Sequence, residues 1–207
     1  MQPSLLNFIV CPVCKKDTLR YISIEKKKDT IIEGILICKA CNEWYIIQER
    51  ILELLKPDLN QERRQEFFEK YKTIFKRLKL KNNGIYSPTK ELRDKMHQSH
   101  FFDHFSHDYV LETQTFWRAY YARTLQKFKS MIARNSIILD LGCGNGLGTA
   151  PFLGGQYTII GIDLSPGMLK DAIRRSDNSA SAGKNHFIVA DAENLPFKEK
   201  IFDACIG

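Results

Sequence analysis

The stretch Ile137-Ile-Leu-Asp-Leu-Gly-Cys-Gly-Asn-Gly146 decides the fold. Residues 137–141 are apolar except for Asp140 and read as a buried strand, while residues 142–148 hold four glycines and read as the turn after it. Glycines there let the backbone bend tightly and approach a ligand with no Cβ in the way. This pattern predicts a nucleotide-binding α/β sheet. The dinucleotide fingerprint G-x-G-x-x-G fails from every start, because its last position falls on Leu147, Thr149 or Pro151. No Gly-Lys-Ser/Thr follows, which excludes a phosphate loop.

Strand-like runs follow at 157–162, 186–190 and 202–206, with a helix between the first two opened by Ser165-Pro166, an N-cap followed by proline at the first helical position. Strand, helix, strand implies a parallel sheet. Residues 176–185 are small and polar and read as an exposed loop. Asp163 ends the second strand, 21 positions after Gly142, where a carboxylate can accept hydrogen bonds from both hydroxyls of a ribose. Asp191 ends the third, where an adenine would lie. Asp140 suits an ammonium group better than a pyrophosphate; acids at strand ends also serve as caps, and for Asp140 both readings stand. Cys143 reads as a small buried residue, not a nucleophile.

Leu139-Asp-Leu-Gly-Cys-Gly-Asn-Gly146, Gly161-Ile-Asp-Leu-Ser165 and Ala190-Asp-Ala-Glu-Asn-Leu-Pro-Phe197, followed by Phe202-Asp203, resemble the class I S-adenosylmethionine-dependent methyltransferases from about residue 136 onward. The resemblance implies that Asp140, Gly142, Gly144 and Gly146 face the methionine part of the cofactor. It implies that Asp163 holds the ribose, that Leu164 packs on adenine, and that Asp191 with Ala192 borders the adenine edge. The family sheet has seven strands and this sequence supplies four, so an incomplete Rossmann-like sheet of about four parallel strands is expected at 135–207. Its fourth strand would be an exposed edge or would be covered by a protein partner. Either a fragment or a shortened, poorly binding protein would look like this.

The first quarter is of another kind. Cys11-Pro-Val-Cys14 and Cys38-Lys-Ala-Cys41 are two Cys-x-x-Cys turns separated by 23 residues. Each turn can aim two thiolates at one point, and together they complete a tetrahedral four-cysteine site suited to a structural Zn2+. Short β-like runs at 19–24, 35–37 and 44–47 surround them. A unit of 1–56 has too small a core to fold unaided, so metal binding would contribute directly to folding. Leu5-Leu-Asn-Phe-Ile-Val-Cys-Pro-Val-Cys-Lys15, Gly34-Ile-Leu-Ile-Cys-Lys-Ala-Cys41, Trp44-Tyr-Ile-Ile47 and Ile51-Leu-Glu-Leu-Leu55 are similar to the zinc-ribbon activating partners of tRNA and protein methyltransferases. Related ribbons also occur fused ahead of methyltransferase domains. A common Tyr-Pro-Ile reads Tyr45-Ile-Ile47 here.

Between the two, residues 57–134 read as a helical linker and lid segment. An amphipathic helix is expected over 60–80 from Phe67, Phe68, Tyr71, Ile74, Phe75 and Leu78, and a second over 113–132 with Phe116, Trp117, Tyr120, Tyr121, Leu125 and Phe128 as its buried stripe. Ser87-Pro88 reads as a hinge. His97, His100, His104 and His107 would share one helical face, for which a solvated surface outweighs a metal site or base.

Hydrophobic residues at 43% and charged residues at 27% exclude a disordered chain, and no apolar run approaches the roughly 20 residues of a membrane span. Paired and lone cysteines without a secretory signal point to a reducing cytoplasm. The net charge of +7 suits RNA without requiring it. The leading functional reading is S-adenosylmethionine-dependent methyl transfer to an unknown acceptor, with a small molecule slightly favoured. The alternatives are an rRNA or tRNA methyltransferase and a non-catalytic zinc-ribbon interaction module.

Overall fold

In the computed structural model, the structure describes residues 1–82, 89–154, 156–179 and 184–207, and in the long third helix the side chains at 105–122, 125 and 126 lie outside the description. Strands β1 (Leu19–Lys27), β2 (Thr30–Cys38), β3 (Trp44–Gln48) and β4 (Ile51–Glu53) form an antiparallel meander. Helices α1 (Gln61–Lys70), α2 (Lys72–Leu78) and α3 (Lys90–Lys129) follow. Then come β5 (Ile137–Leu141), β6 (Thr158–Asp163), α4 (Pro166–Asp177), β7 (His186–Val189) and β8 (Ala204–Ile206).

All eight strands join one sheet in the order β1-β2-β3-β4-β7-β6-β5-β8. The ribbon meander and the parallel strands meet where β4 pairs parallel with β7, through Leu52 opposite Ile188 and Glu53 opposite Val189. The Leu54 N–H continues the ladder to the Val189 carbonyl at 2.8 Å. Strand β8, the fourth parallel strand, forms one edge of the sheet and β1 the other, while the ribbon's β4 lies against the outer flank of β7. Four parallel strands are present, as the sequence pattern predicts, and β5 spans the predicted residues.

Alternation along the strands gives the sheet two apolar faces. On one, Tyr45, Ile47, Leu52, Leu139, Ile162 and Ile188 pack with Leu5 and Ile9 of the N-terminal segment. On the other, Ile51, Phe187 and Val189 receive Leu169 and Ala172 of α4, and Ile35, Ile37, Trp44 and Ile46 receive Phe67 and Phe75 of α1 and α2.

The single helix expected over 60–80 is broken at Tyr71, where φ is −114° and ψ is 25°. The break lets the Tyr71 hydroxyl donate to Glu33 at 2.7 Å while the rings of Phe67 and Phe75 both pack on Trp44. Helix α3 begins at Lys90, far ahead of the expected start, capped by the Thr89 side chain accepting from the Leu92 N–H. Of its predicted buried stripe, Phe128 is instead 43% exposed, and the other members lie outside the described side chains. The Ser87-Pro88 hinge and part of the 176–185 loop also lie outside the described residues, although α4 extends to Asp177. Pro151 sits in a single 3-10 turn, Ala150–Phe152. Among the described residues no helix is long and apolar enough to cross a membrane.

Candidate functional site

The carboxyl ends of β5, β6 and β7 lie side by side, because parallel pairing sets Leu141 beside Ile162 and Asp163 beside Val189. This is where open α/β sheets bind ligands. Gly142, Gly144 and Gly146 take φ of +67°, +50° and +76°. A Cβ on Gly142 or Gly144 would meet nothing within 4 Å, whereas one on Gly146 would press on Ala172 of α4 at 3.0 Å. Two glycines thus face open space and the third allows the loop to lie against α4.

Asp163 accepts the Gly144 N–H at 2.9 Å and the Ser165 N–H at 2.8 Å, so it ties the glycine loop to the end of β6. Burial raises its carboxyl above the usual range, against the pull of those N–H groups. Asp140 is 4% exposed, accepts the Thr149 hydroxyl, and is pushed up to about 6 by burial, with the Asp163 charge adding to the effect. The buried Asp140 and the half-buried Asp163 therefore flank the open loop, an arrangement that favours a cationic, hydroxyl-bearing ligand. Cys143 is buried and its thiol is held well above its ordinary value, chiefly by burial, which leaves it inert. Leu164 is half-buried against the cluster under α4.

Asp191 is also buried, but it is not free. Lys95 of α3 places Nζ 3.1 Å from Asp191 Oδ2 and 2.6 Å from Glu193, and the Glu193 N–H donates to Asp191 at 3.0 Å. Ala192 is exposed and opens the 3-10 turn Ala192–Asn194. Four residues on from Lys95, the Ser99 hydroxyl donates to the Leu164 carbonyl at 2.7 Å. Four further, Asp103 accepts the Gly167 N–H at 2.8 Å and the Ser165 hydroxyl. One face of α3 is thereby fastened across the ends of β6 and β7.

Sequence reasoning misses these three residues, although a polar i, i+4, i+8 series is a signal for them; the histidines beside them carry the same kind of spacing and the more familiar chemistry. His97, His100 and His104 are exposed, and the His104 ring turns back to the His100 carbonyl. His107 lies outside the described side chains.

At the same end of the sheet, the sulfurs of Cys11, Cys14, Cys38 and Cys41 lie within 4.8 Å of one another, the one metal-capable cluster among the described residues. Cys11 is 3.6 Å from Cys41 and Cys14 is 3.5 Å from Cys38. A tetrahedron of sulfurs about 2.3 Å from zinc has edges of about 3.8 Å, so the donor set fits the ion in kind and spacing. Burial works against ionising Cys38, yet hydrogen bonds from Thr18 and the backbone N–H groups of Cys41 and Ala40 bring its thiol down to about 6. The Tyr45 hydroxyl lies 2.9 Å from Cys11 Sγ, an outer contact that orients the ligand.

Comparison with known proteins divides the chain in the same way. Residues 138–207 match a family described as methyltransferase domain, and residues 2–49 match one described as Trm112p-like protein. The 18S rRNA (guanine-N(7))-methyltransferase of Bos taurus is 37% identical over 71 residues, 34% of this chain and 23% of that protein. The demethylmenaquinone methyltransferase of Paenarthrobacter aurescens (strain TC1) is 37% identical over 67 residues, 32% of this chain and 24% of that protein. Among solved structures, a SAM-dependent methyltransferase from Thiobacillus denitrificans in complex with S-adenosyl-L-homocysteine is 28% identical, with 40% of this chain and 35% of that one covered and a TM-score of 0.35. The chain spans about a quarter of the length of these curated relatives.

Proposed function

We propose that this chain, with a methyltransferase-domain segment at 138–207 and a Trm112p-like ribbon at 2–49, binds S-adenosylmethionine at its glycine loop and serves methyl transfer, with one structural Zn2+ in the ribbon. The observation that carries this reading is the pair of carboxylates, buried Asp140 and half-buried Asp163, beside two glycines that open onto empty space. Asp163 has lone pairs left for a ribose. Asp140 is placed for the ammonium end of the methionine, and Gly142 with Gly144 lets the backbone approach it. Leu164 offers an apolar face to adenine, and Asp191 with Ala192 borders its edge.

The cofactor's sulfonium supplies an already activated methyl group, so the protein's part is alignment and exclusion of water. Helix α3, fastened through Lys95, Ser99 and Asp103, covers the adenine side of the site. No side chain is assigned as general base. The ribbon needs no second chain to reach the methyltransferase segment, because β4 extends that sheet directly; β8 offers the flank on which a further protein element would add.

The relatives named above act on an rRNA guanine and on a quinone precursor, so the shared segment does not select the acceptor. A small molecule remains the leading reading. One observation favours RNA: residues 70–81 hold six cations and no acid. Helix α2 turns Phe75 inward with Ile74 and Leu78 packed beside it, which leaves Lys76, Arg77, Lys79 and Lys81 exposed and, among the described residues, paired with no acid. Phosphates are the natural partners of such a surface.

Calorimetry with S-adenosyl-L-homocysteine on the zinc-loaded chain tests the main reading. One site per chain, lost in Asp163→Ala, is expected; absence of heat from a folded sample overturns it in favour of a non-catalytic module. RNA binding that weakens steeply with salt, and is lost on reversing Lys76, Arg77 and Lys79 to Glu, would establish the RNA reading.

A further inference from the structure

The loop that carries Asp191 is gripped from the opposite side by the zinc ribbon. Residues 8–10 run antiparallel beside 196–198: the Val10 N–H donates to the Pro196 carbonyl at 2.8 Å, the Lys198 N–H donates to the Phe8 carbonyl at 2.9 Å, and Ile9 pairs with Phe197. The chain then enters the first cysteine turn. There the Pro12 carbonyl accepts from the Asn194 amide at 3.3 Å, and Lys15 Nζ donates to Asn194 Oδ1 at 2.6 Å and to the Leu195 carbonyl at 3.2 Å. The Asn194 side chain is thus held at its nitrogen by a residue inside the turn bounded by Cys11 and Cys14, and at its oxygen by the residue that follows it. Asn194 also donates its own N–H to the Asp191 carbonyl at 3.0 Å, closing the turn that presents Asp191.

Lys15 reaches this position because it stands in the left-handed region, φ 58°, with its N–H bonded to the Cys11 carbonyl at 2.8 Å. That backbone is uncommon for a residue with a side chain, and a metal held by Cys11 and Cys14 is what would keep it so. Without metal, the turn keeps two closing hydrogen bonds, the Lys15 N–H to the Cys11 carbonyl and the Cys11 N–H to the Lys16 carbonyl at 2.9 Å, but Val13, Lys15 and Lys16 are exposed, so water can compete for the left-handed segment and relax it.

We infer that Lys15 and Asn194 are positioning residues that couple the metal site to the cofactor site: the metal-held cysteine turn fixes the loop 191–197 in the conformation that receives adenine. This inference rests on the reading of Asp191 and Ala192 as the adenine edge. The coupling is reciprocal by necessity, so cofactor bound at the loop must strengthen metal retention by the same factor that metal strengthens cofactor binding.

Full-length, zinc-loaded wild type, Lys15→Ala, Asn194→Ala and the control Lys16→Ala test it, each with zinc stoichiometry measured first. Hydrogen exchange of the 191–198 amides is expected to rise about tenfold or more in Lys15→Ala and Asn194→Ala, and affinity for S-adenosyl-L-homocysteine to fall about five- to twentyfold, with zinc content unchanged and Lys16→Ala like wild type. In wild type, bound S-adenosyl-L-homocysteine should slow zinc transfer to a chromogenic chelator, and this effect should shrink in Asn194→Ala. Wild-type exchange and affinity in both variants overturn the inference. If wild type binds no S-adenosyl-L-homocysteine, the cofactor reading fails, and the exchange measurement still decides whether the metal-held turn orders the loop. Should Asn194→Ala not fold, Lys15→Ala and Asn194→Ser decide the same question.

Discussion

Lys95 and Asp191, 96 positions apart in sequence, meet with Nζ 3.1 Å from Oδ2, and this ion pair joins α3 to the end of β7. The lysine side chain is 18% exposed and the carboxylate 11%, so neither is well solvated. Removing the cation leaves a mostly buried carboxylate with, among the described residues, the Glu193 N–H as its remaining donor. Lys95→Met, which keeps the apolar stem, should cost about 1 to 3 kcal/mol of stability and raise hydrogen exchange over residues 90–104, read by denaturant titration and mass spectrometry.

Asp140 predicts a pH dependence with two opposite signs. Its carboxyl is raised from 3.8 to about 6, chiefly by burial. The folded chain without ligand therefore holds this proton up to about pH 6, well beyond the point where the unfolded chain releases it. Stability is highest at low pH as far as this group is concerned, and about 3 kcal/mol of it is lost as pH rises from below 4 through 6. A cationic ligand needs the ionised form, so affinity for S-adenosyl-L-homocysteine, which keeps its ammonium charge throughout, should weaken about tenfold between pH 7 and pH 5. Asp140→Asn should abolish both trends while still accepting the Thr149 hydroxyl. Calorimetry at several pH values checks the second trend, and thermal melts of the ligand-free protein check the first.

The parts of this fold that can be read in the sequence are those whose signal is local. Strand β5 is a buried apolar run ended by glycines, α4 opens with Ser165-Pro166 and the Ser165 hydroxyl does accept from the Met168 N–H, and two Cys-x-x-Cys turns announce a metal cluster by spacing alone. The join between β4 and β7 carries no such signal. It brings residue 52 against residue 188 in parallel, and no turn chemistry marks a parallel pairing so distant in sequence. The break at Tyr71 is equally hidden, since Phe67, Tyr71 and Phe75 fit one continuous helix until the packing of both phenylalanines on Trp44 is seen. At the site, glycines and strand-end acids stand out by position, whereas Lys95, Ser99 and Asp103 look like any polar face of a helix until the loops they touch are known.

Arg64 makes a further expectation that periodicity could not supply. It is 3% exposed on α1, donates to Glu43 and to the Trp44 carbonyl at 2.6 Å each, and lies 3.9 Å over the Trp44 ring. Arg64→Ala would strand the Glu43 carboxylate in the interior and should destabilise the protein by about 3 to 5 kcal/mol. Arg64→Lys should recover only part of this, because a lysine cannot serve two acceptors while stacking flat on the indole. Denaturant midpoints of the three proteins measure the difference.

The metal supports more than the ribbon. One zinc per chain is expected by elemental analysis, falling to near zero in Cys38→Ser, which removes one of the four sulfur ligands. Because β2 holds Cys38 and passes its order through β3 to β4, and β4 is paired with β7, loss of the metal should be felt beyond residue 56. Exposure of the β7 flank would leave Ile188 and Val189, now buried, beside an unpaired strand edge, a surface that invites aggregation. Chelation should therefore lower the melting temperature of the whole chain in a single transition and increase light scattering. A ribbon that melts separately while β5, β6 and β7 keep their hydrogen-exchange protection would show that the continuous sheet is two independent folding units.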